Sequence, residues 1–274
     1  MNIRLVAADL DGTLLPTSQH ITKRTCEAIR AAQEKGIEFV ICTGRNPSEC
    51  SQILAELPPI DYGLFCTGAF SQNLKTGEIF GRFPISADEG RRIYSILREY
   101  DCMITFFADA RAHTDRKDMQ NFLHFYPEVI RPLFENTHVI DESMDEFVEN
   151  FTGSVDKFFI AFADTAERER ALSRMKELPY YITGAGFCDF EIMNPNANKA
   201  NALRALAAKL GLSQDRLCAV GDSANDVPML KFAGLGVAMG NAAPEVKAEA
   251  DLVAPTNDED GVAWLLERLA EGAV

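Results

Sequence analysis

A short apolar run, Ile3 to Ala8, leads directly into Asp9-Leu10-Asp11-Gly12-Thr13. An apolar run of that length, bounded by a turn signal, reads as a buried strand. Two carboxylates two residues apart are an unusual ending for such a strand. In an open α/β sheet, ligand sites lie beyond the carboxyl ends of the strands, and an extended segment sends residues i and i+2 to similar sides. Carboxylates held that way repel each other unless a cation or a shared proton intervenes. A hard, oxygen-seeking ion such as Mg2+ is the natural mediator. Gly12 lets the chain turn sharply and approach a ligand.

The pattern that follows is consistent with this opening. Thr22 to Lys35 has helical periodicity, with Thr22 as N-cap and Gly36 as stop. Ile37 to Cys42 reads as a second strand, ending in Thr43-Gly44-Arg45. Asn46-Pro47 reads as a helix start, Pro58-Pro59 as its end, and Tyr62 to Cys66 as a third strand. Such βαβαβ alternation implies a parallel sheet covered by helices.

The rhythm changes near Phe83. Ser86-Ala87-Asp88-Glu89 matches a capping box opening a helix to about Tyr100. Met103 to Ala108, Lys157 to Ala163 and Phe187 to Met193 read as strands, with a charged helix from Ala166 to Leu178 and a polar loop from Asp109 to Asp118. Thirteen of the 18 phenylalanines fall between Phe83 and Phe190, which points to a region with its own core. The expectation is a doubly wound, Rossmann-like core of residues 1–82 and 191–274, interrupted by an inserted α+β cap domain of residues 83–190. The core pattern resumes with a helix over Ala197 to Leu210 and a strand over Leu217 to Gly221. After the strand come Asp222-Ser223-Ala224-Asn225-Asp226 and a further helix, then short strands at Gly234 to Met239 and Asp251 to Ala254.

Composition narrows the partners. With 41 acidic against 27 basic residues, the net charge of −14 argues against nucleic acid, which needs a basic footprint. No run of 18 apolar residues suggests a membrane span. Strand-like sequence from the first residues leaves no signal-peptide pattern, and the seven cysteines form no C-x-x-C pair. A cytoplasmic protein with cysteines as small core residues is expected. No G-x-x-x-x-G-K-[ST], full dinucleotide fingerprint, H-E-x-x-H or Cys/His cluster is present.

Four segments carry the chemistry: Asp9-Leu10-Asp11-Gly12-Thr13, Cys42-Thr43-Gly44-Arg45, Lys199, and Gly221-Asp222-Ser223-Ala224-Asn225-Asp226. A lysine at a helix start opposes the helix dipole, which gives a ligand-facing role for Lys199 some weight. In order, the four resemble the motifs of the haloacid-dehalogenase-like phosphatases. The insertion between the second and third resembles the large α/β cap of the Cof-type subgroup. Gly240-Asn241-Ala242 and Asn257-Asp258-Glu259-Asp260-Gly261 resemble that subgroup's C-terminal pattern. The chain departs from the subgroup twice. Thr67-Gly68-Ala69 stands where Asn-Gly-Ala is usual, and Asn198-Lys199-Ala200 where Ser-Lys-Gly is usual.

The resemblance implies a Mg2+-dependent phosphomonoesterase acting on small phosphorylated metabolites such as sugar phosphates. Asp9 would be the nucleophile forming an aspartyl-phosphate, and Asp11 the acid and base. The carboxylates of Asp9 and Asp222 and the backbone carbonyl of Asp11 would hold Mg2+, with Asp226 supporting them from behind. Lys199, Thr43, Asn225 and the backbone amides of Leu10 and Gly44 would hold phosphate, and Arg45 would contact the leaving group. A dehalogenase of the superfamily would lack the second Asp. A phosphomutase or phosphotransferase using the same aspartate, and a non-catalytic phosphometabolite sensor, are the alternatives. The insertion is expected to act as a lid with hinges near Arg82 to Pro84 and Asn194 to Asn198.

Overall fold

The protein is described by a computed structural model covering residues 2–184 and 188–273. It divides into two compact units, one of Met1–Arg45, Cys50–Arg82 and Asn198–Val274, the other of Asn46–Glu49 and Phe83–Ala197. The return crossing falls at residues 197/198 rather than 190/191, because the strand Asp189–Met193 pairs antiparallel within the second unit. The short segment Asn46–Glu49 was not foreseen as part of that unit.

The first unit is built on β1 (Leu5–Ala8), β2 (Glu38–Cys42), β3 (Tyr62–Phe65), β4 (Phe70–Asn73), β5 (Ile79–Phe80), β6 (Leu217–Gly221), β7 (Leu235–Ala238) and β8 (Leu252–Val253). Among the described residues their order is β8-β7-β6-β1-β2-β3-β4-β5. The pairs among β1, β2, β3, β6, β7 and β8 are parallel, and β4 and β5 add an antiparallel edge. Every residue of β1 is buried, so the strand is an unbroken apolar run, as expected where both faces are covered by helices. Leu5, Ala7, Val40 and Cys42 pack with Ala202, Leu203 and Leu206 of the helix Lys199–Leu210. That helix starts at Asn198, whose side chain accepts from the Asn201 amide, and ends at Gly211 with φ +66°. The helix Lys23–Glu34 lies against Gly261–Glu271.

The helix expected from Asn46-Pro47 begins later. Asn46 accepts from the Glu49 amide and donates its own amide to the Glu49 carboxylate. This reciprocal cap closes a separate turn, and the helix proper is Ser51–Glu56.

The second unit has its own sheet, in the order Tyr181–Thr183, Asp189–Met193, Ser154–Phe162, Cys102–Ala108, Arg111–Asp115, His138–Asp141. Phe106, Phe158, Ile160, Phe190 and Ile192 share one core with residues of the helices Ala87–Leu97 and Thr165–Met175. Phe106 and Phe158 meet edge to face at 5.0 Å, which accounts for much of the phenylalanine skew. Met103 and Ala161, on the alternate register positions, pack with Met119, Phe122 and Phe134. The stretch Asp109 to Asp118 is not a loop. Asp109 and Ala110 take φ of +51° and +60°, making a two-residue hairpin turn. Arg111–Asp115 pairs back onto Cys102–Ala108, and a helix follows from Arg116. Sequence reading missed that strand because its buried positions are Ala112 and Thr114, with no apolar run to mark it. Phe187, the expected start of the last strand, lies outside the described residues. Among the described residues no helix is long and apolar enough to cross a membrane.

Candidate active site

The first unit gathers the sequence-predicted residues at the carboxyl ends of its parallel strands. Asp9 directly follows β1, and its amide still donates to Val220 of β6. The loop after it folds back tightly, the Thr13 and Leu15 amides donating to the Leu10 carbonyl and the Leu14 amide to that of Asp9. Gly12 sits at φ +78°, and a Cβ there would come within 2.5 Å of an Asp222 carboxylate oxygen. Only glycine fits that approach.

Lys199 is the centre of the arrangement. Its side chain is 1% exposed, with Nζ 2.6 Å from Asp9 Oδ1 and 2.6 Å from Asp226 Oδ1. Burial alone would pull the ammonium's pKa down, but the charges of Asp226 and Asp9 more than offset this and hold it above the usual lysine value. A helix-start lysine is ordinarily solvated. This one is sequestered, so it belongs to the buried polar framework as well as to the site.

Asp226 is fully engaged. Its Oδ2 accepts from the amides of Asp222 and Ser223 and from the Ser223 hydroxyl. It therefore shapes the loop after β6 and orients Lys199. Gly221 allows this, since a Cβ there would lie 2.4 Å from the Asp226 carboxyl carbon. Asp222 Oδ1 accepts from Thr13 Oγ1 at 2.9 Å, a contact between two loops that the sequence did not announce.

Asp9, Asp222 and Asp226 each bring a ligand atom to within 4.8 Å of the others. Burial, with the nearby Asp226 charge, pushes the Asp9 carboxyl well above its ordinary value despite Lys199. Burial likewise pushes Asp222 up, against its bond from Thr13. Three carboxylates around one ammonium leave an excess of negative charge in a desolvated place. A divalent cation fits that imbalance, with Asp9 and Asp222 each keeping a second oxygen for it.

The remaining predicted residues fall as follows. Leu10 is fully buried, so only its backbone is available to a ligand. Thr43 directly follows β2, the strand next to β1, and is fully buried, with Oγ1 accepting from the Arg45 amide at 3.1 Å. Gly44 follows in the same turn. Asn225 lies in the loop after β6, its Oδ1 accepting from Ser223 at 2.9 Å. Arg45 reaches Asp11, with Nε 2.9 Å from Oδ2 and a second bond from Nη2 to Oδ1. The two sequence-level roles, leaving-group contact and acid, thus meet in one bidentate pair. Thr67 is fully buried with φ +57°. That conformation is uncommon for a β-branched residue and easier for Asn, so the departure from the subgroup's Asn places strain in this turn. Beside it, a Cβ on Gly68 would lie 2.2 Å from the Asn198 carbonyl oxygen, so the turn abuts the cap of the Lys199 helix.

Comparison with known proteins gives the family. The sequence profile of the haloacid dehalogenase-like hydrolases matches residues 6–266. The chain belongs to that family. The motifs place it in the Cof-type subgroup. It is 32% identical to a 5-amino-6-(5-phospho-D-ribitylamino)uracil phosphatase of Bacillus subtilis, over 97% of each chain. A crystal structure of a haloacid dehalogenase-like hydrolase from Bacteroides thetaiotaomicron superposes with a TM-score of 0.84 at 29% identity, covering 97% of this chain and 99% of that one. A haloacid dehalogenase-like hydrolase from Bacillus subtilis gives a TM-score of 0.85 at 28% identity, covering 97% and 100%.

Proposed function

We propose that this phosphatase is a Mg2+-dependent phosphomonoesterase for small phosphorylated metabolites, sugar phosphates foremost, working through an aspartyl-phosphate on Asp9. The observation that carries the reading is the Lys199 ammonium shared by Asp9 and Asp226 beside Asp222. A carboxylate nucleophile and a phosphate ester are both anionic, so the site must supply positive charge and oriented donors. Asp9, Asp222 and the backbone carbonyl of Asp11 would hold Mg2+, which would supply charge neutralisation on the phosphoryl oxygens.

The other groups divide the work. Asp9 attacks phosphorus with one carboxylate oxygen, while Lys199 offsets the charge of that carboxylate. Lys199, Thr43, the Nδ2 of Asn225 and the amides of Leu10 and Gly44 hold phosphoryl oxygens. Asp11 gives a proton to the departing oxygen and then takes one from the hydrolytic water. For this its carboxyl must be released from Arg45, which is then available to the leaving group. The Bacillus subtilis relative is named for a phosphorylated ribityl compound, which supports a polyhydroxylated leaving group here.

The test is phosphate release from sugar, nucleotide and cofactor phosphates, with Mg2+ and in excess chelator. Release from sugar phosphates that depends on the metal is the expected result. Full activity in chelator would sink the metal dependence, and transfer to a sugar hydroxyl without free phosphate would make the enzyme a phosphotransferase.

A further inference from the structure

We propose that Asn241 and Asn257, from the two C-terminal segments that the catalytic reading leaves unused, are positioning residues for the loop that carries Asp11 and secures Asp222. The proposal rests on the phosphatase reading of Asp9 and Asp222.

Asn241 Nδ2 donates to the Gly12 carbonyl at 2.8 Å. Asn257 Nδ2 donates to the Leu15 carbonyl at 3.0 Å. The two asparagines are tied to each other, the Asn257 amide donating to Asn241 Oδ1 at 3.1 Å. Their own loops are packed closely. A Cβ on Gly240 would lie 2.8 Å from the Thr256 amide nitrogen, and one on Gly261 would lie 2.3 Å from the Pro255 carbonyl oxygen. The same segment grips the chain further on. Asp258 accepts from the amide and hydroxyl of Thr17, and Asp260 accepts from Thr22 Oγ1 at 2.6 Å. These four residues of the two C-terminal segments all reach back to the stretch that follows Asp9.

The carbonyls they hold are not arbitrary ones. The Gly12–Thr13 peptide is fixed at both ends, its carbonyl by Asn241 and its amide by the Leu10 carbonyl. Thr13 then presents its hydroxyl to Asp222. Leu15 forms an isolated bridge with Asp11. Holding the carbonyls of Gly12 and Leu15 therefore fixes the chain that directly follows Asp11, including its bridge partner Leu15, and, through Thr13, sets the Asp222 carboxylate. Outer partners of this kind typically affect metal affinity or activity about 10–100-fold.

The experiment uses the full chain. Asn241→Leu and Asn257→Leu remove the donors at similar volume, with Asn257→Ser as a milder version should the leucine there impair folding. Mn2+ is the metal probe, its Kd measured directly by titration. Hydrolysis of 4-nitrophenyl phosphate gives kcat and KM, and Tm reports the fold. Each asparagine variant should bind Mn2+ about tenfold more weakly and lose kcat with KM little changed. Thr13→Val combined with Asn241→Leu should do no worse than the more damaging single change, because both break one chain of contacts. Unchanged Mn2+ affinity and kcat in the asparagine variants would overturn the proposal. So would effects that multiply with Thr13→Val. A wild-type protein that neither binds Mn2+ nor releases phosphate would instead overturn the reading on which this rests.

Discussion

Each unit buries a lysine against carboxylates, and the two clusters are built differently. In the second unit, Lys157 Nζ lies 2.6 Å from Glu191 Oε1, the side chains 4% and 7% exposed, and 4.6 Å from the centre of the Phe107 ring. The cation meets this carboxylate, its charge also reaches Glu49, and an aromatic face adds support. In the first unit, Lys199 meets Asp9 and Asp226 at once, with Asp222 close by. The first arrangement matches its cation to a carboxylate and an aromatic face. The second lacks positive charge and keeps the Asp9 carboxyl pushed up by burial. Burial of a charged pair does not mark a site by itself, since such pairs contribute little net stability. The uncompensated charge marks it.

The largest expected effect tests that distinction at Asp9. Asp9→Asn should lower turnover of any substrate by roughly 10⁴-fold or more, because the amide cannot act as the nucleophile. Tm should fall little, since the exchange is isosteric and removes a carboxylate that burial disfavours. Near-normal turnover in the folded variant would remove Asp9 from the mechanism.

A smaller effect compares the lysines directly. Lys199→Met and Lys157→Met each leave buried carboxylate without its cation, a loss of about 3–5 kcal/mol. This is more than a solvated helix-start lysine would lose. The two should part on addition of MgCl2. Melting of the Lys199→Met protein should recover in part, because a metal can take up the stranded charge, while Lys157→Met should not respond. Adding Glu191→Leu to Lys157→Met should recover part of the lost Tm. Equal responses to Mg2+ would erase the contrast.

The smallest effect concerns Asp118 in the second unit. Burial, then the charge of Asp115, pushes its carboxyl up to about 6, against Arg98 and a backbone bond from Ile104. A carboxyl whose folded pKa exceeds its unfolded value of about 3.9 disfavours the fold once it ionises. The loss begins as pH rises past about 4 and is complete above about 6. Asp118→Asn should therefore melt with the parent at low pH and a few degrees above it at pH 8, on the order of 1–2 kcal/mol after allowing for partial solvation. A variant less stable than the parent at pH 8 would show that the carboxylate supports the fold.

How much was legible in advance follows from where the information lies. Asp9 to Thr13 declared itself because strand, turn and carboxylates are adjacent in sequence. The α/β class followed from apolar runs of strand length separated by helical periodicity. The hairpin at Asp109-Ala110 escaped because all but one residue of its pairing strand, Ala112, are polar and its turn lacks the usual glycine. The Arg45–Asp11 pair and the Thr13–Asp222 bond are choices of rotamer and loop approach, invisible to spacing. The burial of Lys199 was equally hidden, since Asp9, one of its two partners, lies 190 residues away. Asn241 and Asn257 were seen as part of a pattern, but what they hold could be known only once the Gly12 and Leu15 carbonyls were in place.

The register of β1 has a consequence for synthesis. One neighbour, β2, follows within a few dozen residues, but the other is β6, where Ala8 pairs with Val220. The second unit is almost one continuous stretch, and all its strands have emerged before Asn198 does. At about 5–20 residues per second, the ribosome needs several seconds more to deliver the rest of the chain. During that interval the central strand of the first unit presents an open, fully apolar edge, the form of backbone most prone to pair with another chain. The closure entropy of so long a detour grows only logarithmically with its length. The insertion therefore weighs on the nascent chain as a delay, during which the strand that leads into Asp9 waits, half-paired, for its partner.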